Sequence, residues 1–179
     1  MGFPGTLTLR RETLQAVMRD YVDSLLRHGF DEIYLLPTHG GNFLPLRDLL
    51  PDLQDGLSAG STVLGYTDLE GFLEIWRSAI DGAGGDPSGV GGHAGLAESS
   101  EILVIRPDLV RTQSALPGVP GPPSPDVLRR VFAEGFRAVS DVGVLGDPRT
   151  MSRELGEACL TRVAQVVAAD WRTQLDETC

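Results

Sequence analysis

The stretch Ile33-Tyr34-Leu35-Leu36-Pro37-Thr38-His39-Gly40-Gly41-Asn42 decides the fold of this chain. Its first four residues form a short apolar run, with charge before it and Pro37 after it, which is typical of a buried parallel strand. A helix is predicted over residues 9–28, because apolar residues recur there at helical spacing and Gly29 can cap its end. A helix followed by a buried strand predicts the α/β class, a layered fold with a mainly parallel central sheet flanked by helices.

The rest of the chain also carries signals that predict secondary structure. Residues 94–105 divide between strand and helix propensity, and we choose helix. The Gly-rich residues 81–92 are interpreted as a functional loop, and the Pro-rich residues 114–125 as irregular. Periodicity and capping residues predict the other elements: a helix from Asn42 to Leu53, a strand over Thr62–Tyr66, a helix over Leu69–Ile80, a short helix near Asp126–Ala133, a strand near Phe136–Val139 and a last helix that starts at Asp147-Pro148.

Composition and charge exclude several functional classes. The 179 residues carry 15 basic side chains, all of them Arg, against 25 Asp and Glu, for a net charge of −10. Such a surface repels phosphate backbones, so we expect no nucleic-acid partner. No apolar run approaches the roughly 20 residues that cross a bilayer, and no signal pattern is present, so we expect no membrane partner and a cytoplasmic protein. Length and 41% hydrophobic residues fit a single domain over residues 1–179.

His39 is the most informative residue for function. It follows the first predicted strand, and open α/β sheets place ligand sites at the carboxyl ends of their strands. Gly40 and Gly41 behind it allow a substrate or backbone to approach closely, and Asn42 is the single Asn of the chain. A lone His is often a structural residue, and the residues alone leave that alternative open.

His93 and Glu98 form a second candidate pair. If a helix begins at Ala94, His93 lies at its N-terminus and Glu98 lies one turn further on. The helix dipole favours a carboxylate there, and carboxylate oxygen is a good ligand for a divalent metal ion. The alternative is a Gly-rich turn with a capping His and an N-terminal Glu that serve the fold alone.

Four stretches, in this order and with this spacing, resemble the creatininase (creatinine amidohydrolase) family. They are Gly2-Phe3-Pro4-Gly5-Thr6, His39-Gly40-Gly41-Asn42, Gly92-His93-Ala94-Gly95 with Glu98-Ser99, and Gly143-Val144-Leu145-Gly146-Asp147-Pro148. The resemblance runs from residue 2 to about residue 160. It implies a layered α/β fold, a homo-oligomer, and hydrolysis of an amide or cyclic amide C–N bond of a small molecule or peptide. It also implies two divalent metal ions per site, Zn, Mn or Fe.

The resemblance also implies roles for individual residues. His39 matches a metal-ligand His of the family, Glu98 matches a Glu that we take as a second metal ligand, and His93 matches a His that transfers a proton near the substrate. Gly40, Gly41, Asn42 and Gly92 are expected to contact the substrate. The chain departs from the family pattern at Pro37-Thr38, where Asn-Gly is usual, and at Ser99, where Thr is usual.

One family motif has no counterpart in these residues. Upstream of its Phe-Pro-Gly-Thr stretch the family supplies three further metal ligands, and no Glu-x-His-Gly-x-His sequence occurs here. The resemblance therefore predicts a creatininase-like chain that lacks the family's N-terminal segment and is catalytically incomplete as given. Two other hypotheses remain: a non-catalytic, truncated relative that acts as a binding or oligomer-forming protein, and a nucleotide-binding α/β module without metal.

Overall fold

The structure, a computed structural model, describes residues 2–178. Contacts within the chain divide it into two compact units. The β1–β2 unit comprises Leu7–Leu69 with residues 167–178, and the β3–β4 unit comprises residues 2–6 with Glu70–Val166. The elements in chain order are α1 (Arg11–Arg27), β1 (Glu32–Leu35), α2 (Phe43–Asp55), β2 (Thr62–Gly65), α3 (Leu69–Gly82), β3 (Val90–His93), α4 (Leu96–Ile105), α5 (Pro125–Glu134), β4 (Leu145–Gly146) and α6 (Arg153–Thr178). The single domain expected for residues 1–179 stays a prediction.

The β1–β2 unit is built on a parallel strand pair. Ile33 of β1 lies opposite Val63 of β2, and the Tyr66 N–H donates to the Leu35 carbonyl at 3.0 Å just beyond the strand ends. Helices α1 and α2 cover this pair with apolar side chains, and their burial supplies the main driving force for folding. The buried core cluster consists of Val22, Ile33, Leu49, Leu53 and Val63. The order helix, strand, helix, strand confirms the α/β class predicted from the first stretch.

The last turns of α6 attach to the same strand pair. The Tyr34 hydroxyl donates to the Asp170 carboxylate at 2.5 Å. Gln174 donates to Asp170 at 2.5 Å and to the Gly65 carbonyl at 3.4 Å, so both strands are bonded to this helix. Burial, followed by the bond to Asp170 and its charge, raises the pKa of Tyr34 well above its ordinary range. The phenol therefore stays a neutral hydrogen-bond donor.

The β3–β4 unit contains an antiparallel pair. Val90 lies opposite Gly146 and His93 opposite Leu145, with an irregularity in the register between them. A third segment joins this pair, because Val119 forms an isolated parallel bridge with Leu145. The buried side chains of this unit come from its helices and strands: Phe72, Leu73, Ile75, Trp76, Ala79, Ile80, Val90, Leu96, Ala97, Val131, Leu145, Leu155 and Cys159.

Three local predictions are wrong. The supposed loop over residues 81–92 instead contains a 3-10 turn over Pro87–Gly89 and most of β3. Residues 136–139 do not form a strand, because Gly135 takes a φ of 90° and the chain then forms a 3-10 turn over Phe136–Ala138. The last helix starts at Arg153 and not at Asp147-Pro148, because the Asp147 carboxylate binds the backbone N–H and guanidinium of Arg149 in a local turn.

Helix α6 is the longest element, with 26 residues. Its sequence carries acidic and basic residues along its whole length. Neither it nor any other helix among residues 2–178 is long and apolar enough to cross a membrane.

Candidate functional site

His39 lies four residues beyond the carboxyl end of β1, where the chain turns into α2. Its backbone is extended, with φ −134° and ψ 128°, and a 3-10 turn over Gly40–Asn42 follows. The Asn42 N–H donates to the His39 carbonyl at 2.9 Å and closes this turn. A Cβ atom on Gly41 would lie 3.0 Å from His39 Nε2. The imidazole therefore lies over Gly41, and glycine at this position leaves room for its Nε2 atom.

A cavity of about 380 Å³ opens beside His39 within the β1–β2 unit. This volume falls in the range of small-molecule pockets. Gly41 and Asn42 line it together with His39, and Gly40 is not among its lining residues; the contact of all three glycine and asparagine residues with a substrate stays a prediction. The remaining lining residues are Leu7, Thr8, Leu9, Arg11, Leu14 and Pro45. The exposed His39 ring therefore faces a space in which a ligand can reach it.

His93 ends strand β3 in the other unit. Its ring stacks on Phe136, with 3.9 Å between the ring centroids and 27° between the ring planes. Phe136 belongs to the 3-10 turn that the sequence predicted as strand. The stack fixes the plane of the half-buried imidazole, because an aromatic pair at this separation favours a defined geometry.

Glu98 lies in the first turn of α4, as predicted. Its carboxylate accepts a hydrogen bond from the Ala94 N–H, and the Ser99 hydroxyl donates to the Ala94 carbonyl at 3.2 Å. Ala94 has a φ of 51°, the one positive φ of a non-glycine residue described. Such a backbone costs free energy and persists where surrounding bonds hold it, a feature that clusters at functional sites.

Gly92 is required by the backbone beside His93. Its φ is 81°, and a Cβ atom there would lie 2.8 Å from Leu73 Cδ2. Glycine adopts this conformation without steric cost, whereas other residues do so rarely. The contact of Gly92 with a substrate stays a prediction.

The predicted site residues fall into two groups. Gly92, His93 and Glu98 lie close together along β3 and the start of α4, and His39, Gly40, Gly41 and Asn42 lie together after β1. Over residues 2–178, no cluster of three or more His, Cys, Asp or Glu side chains is arranged to hold a metal ion. The roles of His39 and Glu98 as metal ligands and of His93 as a catalytic residue stay predictions.

Sequence reasoning missed Glu101, one helical turn after Glu98. The Trp76 indole N–H donates to its carboxylate at 2.8 Å. Burial raises the pKa of Glu101 to about 7; the Trp76 bond opposes this shift, and the charge of Glu98 adds to it. Burial also raises the pKa of the Cys159 thiol to about 12, and the charge of Glu101 adds to that shift. The signal in the sequence was an acid directly before the apolar run Ile102-Leu103-Val104-Ile105.

The Phe136–His93 stack gives a first prediction. In Phe136→Leu the aromatic ring current on His93 disappears, so the imidazole proton resonances shift downfield in the NMR spectrum. Phe132, which is 60% exposed on α5, provides a matched control, and Phe132→Leu leaves these resonances unchanged. Equal resonance positions in wild type and Phe136→Leu would show that the rings do not stack in solution.

The half-buried Glu101 gives a second prediction. Its pKa is about 7 in the folded protein against 4.5 for the ordinary side chain, so the unfolded chain loses this proton first as the pH rises. The folded state then holds more protons than the unfolded state, and stability falls between about pH 4.5 and about pH 7. Glu101→Gln removes this contribution, so the variant gains stability relative to wild type across that window.

Thermal unfolding across this pH window measures the difference between the two proteins. Glu157→Gln, which changes an exposed acid on α6, is the control and is expected to follow the wild-type pH dependence. A difference between wild type and Glu101→Gln that does not change with pH contradicts the raised pKa.

Comparison with known proteins shows which family this chain resembles. The family model of creatininase (creatinine amidohydrolase) matches residues 1–170. The mycofactocin precursor peptide peptidase of Mycobacterium ulcerans (strain Agy99) is 31% identical over 173 residues, 92% of this chain and 60% of that protein. The peptidase of the same name from Mycolicibacterium smegmatis is 30% identical over 157 residues, 87% of this chain and 54% of that protein. The chain thus spans little more than half the length of these relatives.

Solved structures of creatininases share the fold. A single-residue mutant of creatininase superposes with a TM-score of 0.69 at 26% identity, covering 97% of this chain and 68% of that one. The structure described as "Creatininase Mn" gives a TM-score of 0.68 at 25% identity with the same coverage. Because the family model matches nearly the whole chain and the fold agrees, this chain belongs to the creatininase family.

Proposed function

We propose that this chain acts as a metal-dependent amidohydrolase that cleaves an amide or cyclic amide C–N bond. One observation carries the proposal: His39 follows a parallel strand, lies over Gly41 and faces a cavity of about 380 Å³. Membership of the creatininase family supports it. The relatives named mycofactocin precursor peptide peptidase favour a peptide over a small molecule as the substrate.

The donor chemistry of His39 and Glu98 fits a divalent metal ion. Imidazole nitrogen and carboxylate oxygen are each ligands for Zn, Mn and Fe, and creatininase structures described as Mn and as Zn-Zn are among the similar structures. His39 would bind through Nε2, the atom that Gly41 leaves accessible. Glu98 would bind through the carboxylate oxygen that the Ala94 N–H does not occupy. A bound divalent ion lowers the pKa of its water toward neutrality and polarises the carbonyl of the substrate.

The remaining residues act on the substrate and its protons. His93 protonates the leaving nitrogen as the C–N bond breaks, and its stack on Phe136 holds the ring plane for that transfer. Gly41 and Asn42 line the cavity beside His39 and contact the substrate there. Gly40 and Gly92 keep the adjoining backbone free of side chains.

A non-catalytic binding or oligomer-forming protein is the second candidate. It is favoured by the Glu98 carboxylate, which is already bonded to the Ala94 N–H. It is favoured also by large exposed apolar side chains on α4 and just after it, Ile102, Ile105 and Leu109. On this hypothesis the chain assembles with copies of itself, as the family resemblance implies.

Metal binding by paired variants tests the proposal. We expect Mn²⁺ titration calorimetry to show loss of binding in His39→Ala and unchanged binding in His28→Ala, which removes another exposed His from the same unit. Glu98→Gln keeps an acceptor oxygen for the Ala94 N–H, so it should weaken Mn²⁺ binding by at least about tenfold while the melting temperature changes little. Glu70→Gln, an acid in the first turn of α3, is its control.

Each outcome decides between the two candidates. Equal Mn²⁺ stoichiometry in wild type and His39→Ala would remove His39 from the metal site and favour the binding protein. A loss of stability in Glu98→Gln as large as its loss of Mn²⁺ affinity would assign Glu98 to the fold alone.

A further inference from the structure

A second cavity, of about 250 Å³, lies within the β3–β4 unit. It is larger than the roughly 150 Å³ cavity that accommodates a benzene molecule in a protein interior. Its walls are mainly apolar, and two large apolar residues at it are about half exposed, Leu116 at 54% and Val142 at 47%. Val144, Pro148 and Met151 are less exposed and also line it. An apolar group of the size of one amino-acid side chain therefore fits this cavity.

Polar groups converge on the same cavity. Arg111, Ser99 and Ser114 are among its lining residues, and the Ser99 hydroxyl also donates to the Ala94 carbonyl. Arg111 forms no ion pair with any carboxylate among residues 2–178, whereas its neighbour Arg106 is paired with Asp108 at 2.7 Å. A guanidinium with hydroxyl groups nearby is suited to a carboxylate.

Backbone contacts hold the walls in place. The Val119 N–H donates to the Val144 carbonyl at 3.2 Å, and the Gly118 N–H donates to the Gly146 carbonyl at 2.8 Å. A Cβ atom on Gly118 would overlap the Val144 carbonyl, so this approach requires glycine. The cavity wall after Leu116 is thus bonded to the wall around Val144, and the cavity does not depend on a loose loop.

The cavity adjoins the candidate site through Ser99. This residue follows Glu98 on α4, and its hydroxyl donates to the carbonyl of Ala94, whose N–H binds Glu98. A group bound in the cavity therefore lies beside the segment that carries Glu98.

We propose that this cavity binds the carboxylate and apolar side chain of an acylated amino acid, such as the terminal residue of a peptide, with Arg111 as the carboxylate partner. The inference rests on the proposed function for its role as a substrate site. The binding itself requires neither metal nor turnover, and it can be measured independently.

Ligand-observed and protein-observed NMR on the full, metal-free chain tests the proposal with three probes. N-acetyl-leucine carries both features, N-acetyl-leucinamide lacks the charge, and N-acetylglycine lacks the side chain. We expect N-acetyl-leucine to bind at least about tenfold more tightly than either other probe. We also expect its chemical-shift changes to centre on Ser99, Ser114 and Leu116.

Variants separate the two features of the site. Arg111→Gln should weaken N-acetyl-leucine binding about tenfold and leave N-acetyl-leucinamide binding unchanged. Leu116→Ser should weaken both. Arg162→Gln is the matched control, an exposed Arg of the same unit without an ion pair, and it should behave as wild type. Melting temperatures confirm that all variants are folded.

Some outcomes overturn the inference. The assignment of Arg111 as a carboxylate partner fails if N-acetyl-leucine and N-acetyl-leucinamide bind equally tightly. It fails also if Arg162→Gln weakens N-acetyl-leucine binding as much as Arg111→Gln does, or if the chemical-shift changes centre on residues outside the cavity. If N-acetyl-leucine fails to bind while His39→Ala still loses Mn²⁺, this inference fails and the proposed function stands. If N-acetyl-leucine binds while the wild type takes up no Mn²⁺, the proposed function fails alone.

Discussion

The close approach of backbone segments at glycine residues is the constraint on which the β3–β4 unit depends. A Cβ atom on Gly91 would overlap the Leu145 carbonyl carbon, and one on Gly118 would overlap the Val144 carbonyl oxygen. Likewise, Gly95 and Gly146 have no room for a side chain against Leu145 and Gly89. Three chain segments therefore pack backbone against backbone, at distances that only glycine permits. This packing fixes the direction in which the chain leaves β3, and so the positions of His93, Ala94 and Glu98.

The β1–β2 unit obtains its site in a different way. Its parallel strand pair packs under two helices, and the turn that follows β1 carries His39. Glycine at position 41 leaves room for the imidazole ring. The apolar core holds the strands, and the bonds of Tyr34 and Gln174 to Asp170 add α6 to them. The candidate residues after β1 are held by an apolar core, whereas those around His93 are held by backbone contacts at glycine.

Much of the fold followed from the sequence, and the failures have physical causes. Helices were predicted correctly at α1, α2 and α3, and also at α4, where strand and helix propensity were divided. The resemblance to creatininases is confirmed by the family match. The strand predicted over residues 136–139 is wrong because Gly135 takes a positive φ and a 3-10 turn follows it. The helix start predicted at Asp147-Pro148 is wrong because the Asp147 carboxylate accepts from the Arg149 N–H in a local turn, and the helix begins at Arg153. Where a side chain can form more than one local hydrogen bond, the sequence does not reveal which of them forms.

The sequence predicted which residues are candidates for the site, but not the contacts that these residues make in the structure. Motif positions gave His39, His93 and Glu98 as candidates, and their roles stay predictions, whereas the stack of His93 on Phe136 and the bond of Glu101 to Trp76 arise from tertiary contacts. The cavity at Arg111 also could not be predicted from the sequence, because its lining residues come from separate chain segments that are joined by backbone hydrogen bonds. Such contacts carry no periodic signature.

The central claim is that His39 and Glu98 are metal ligands, and paramagnetic NMR with Mn²⁺ tests it most directly. Sub-stoichiometric Mn²⁺ broadens the amide resonances of residues close to the bound ion. The account makes a prediction for each unit by itself: the signals of Gly40 and Gly41 beside His39 are among the first to broaden in one, and those of Ala97 and Ser99 beside Glu98 in the other. Broadening that leaves both segments unaffected and concentrates on other surface acids would contradict the assignment of His39 and Glu98 as ligands.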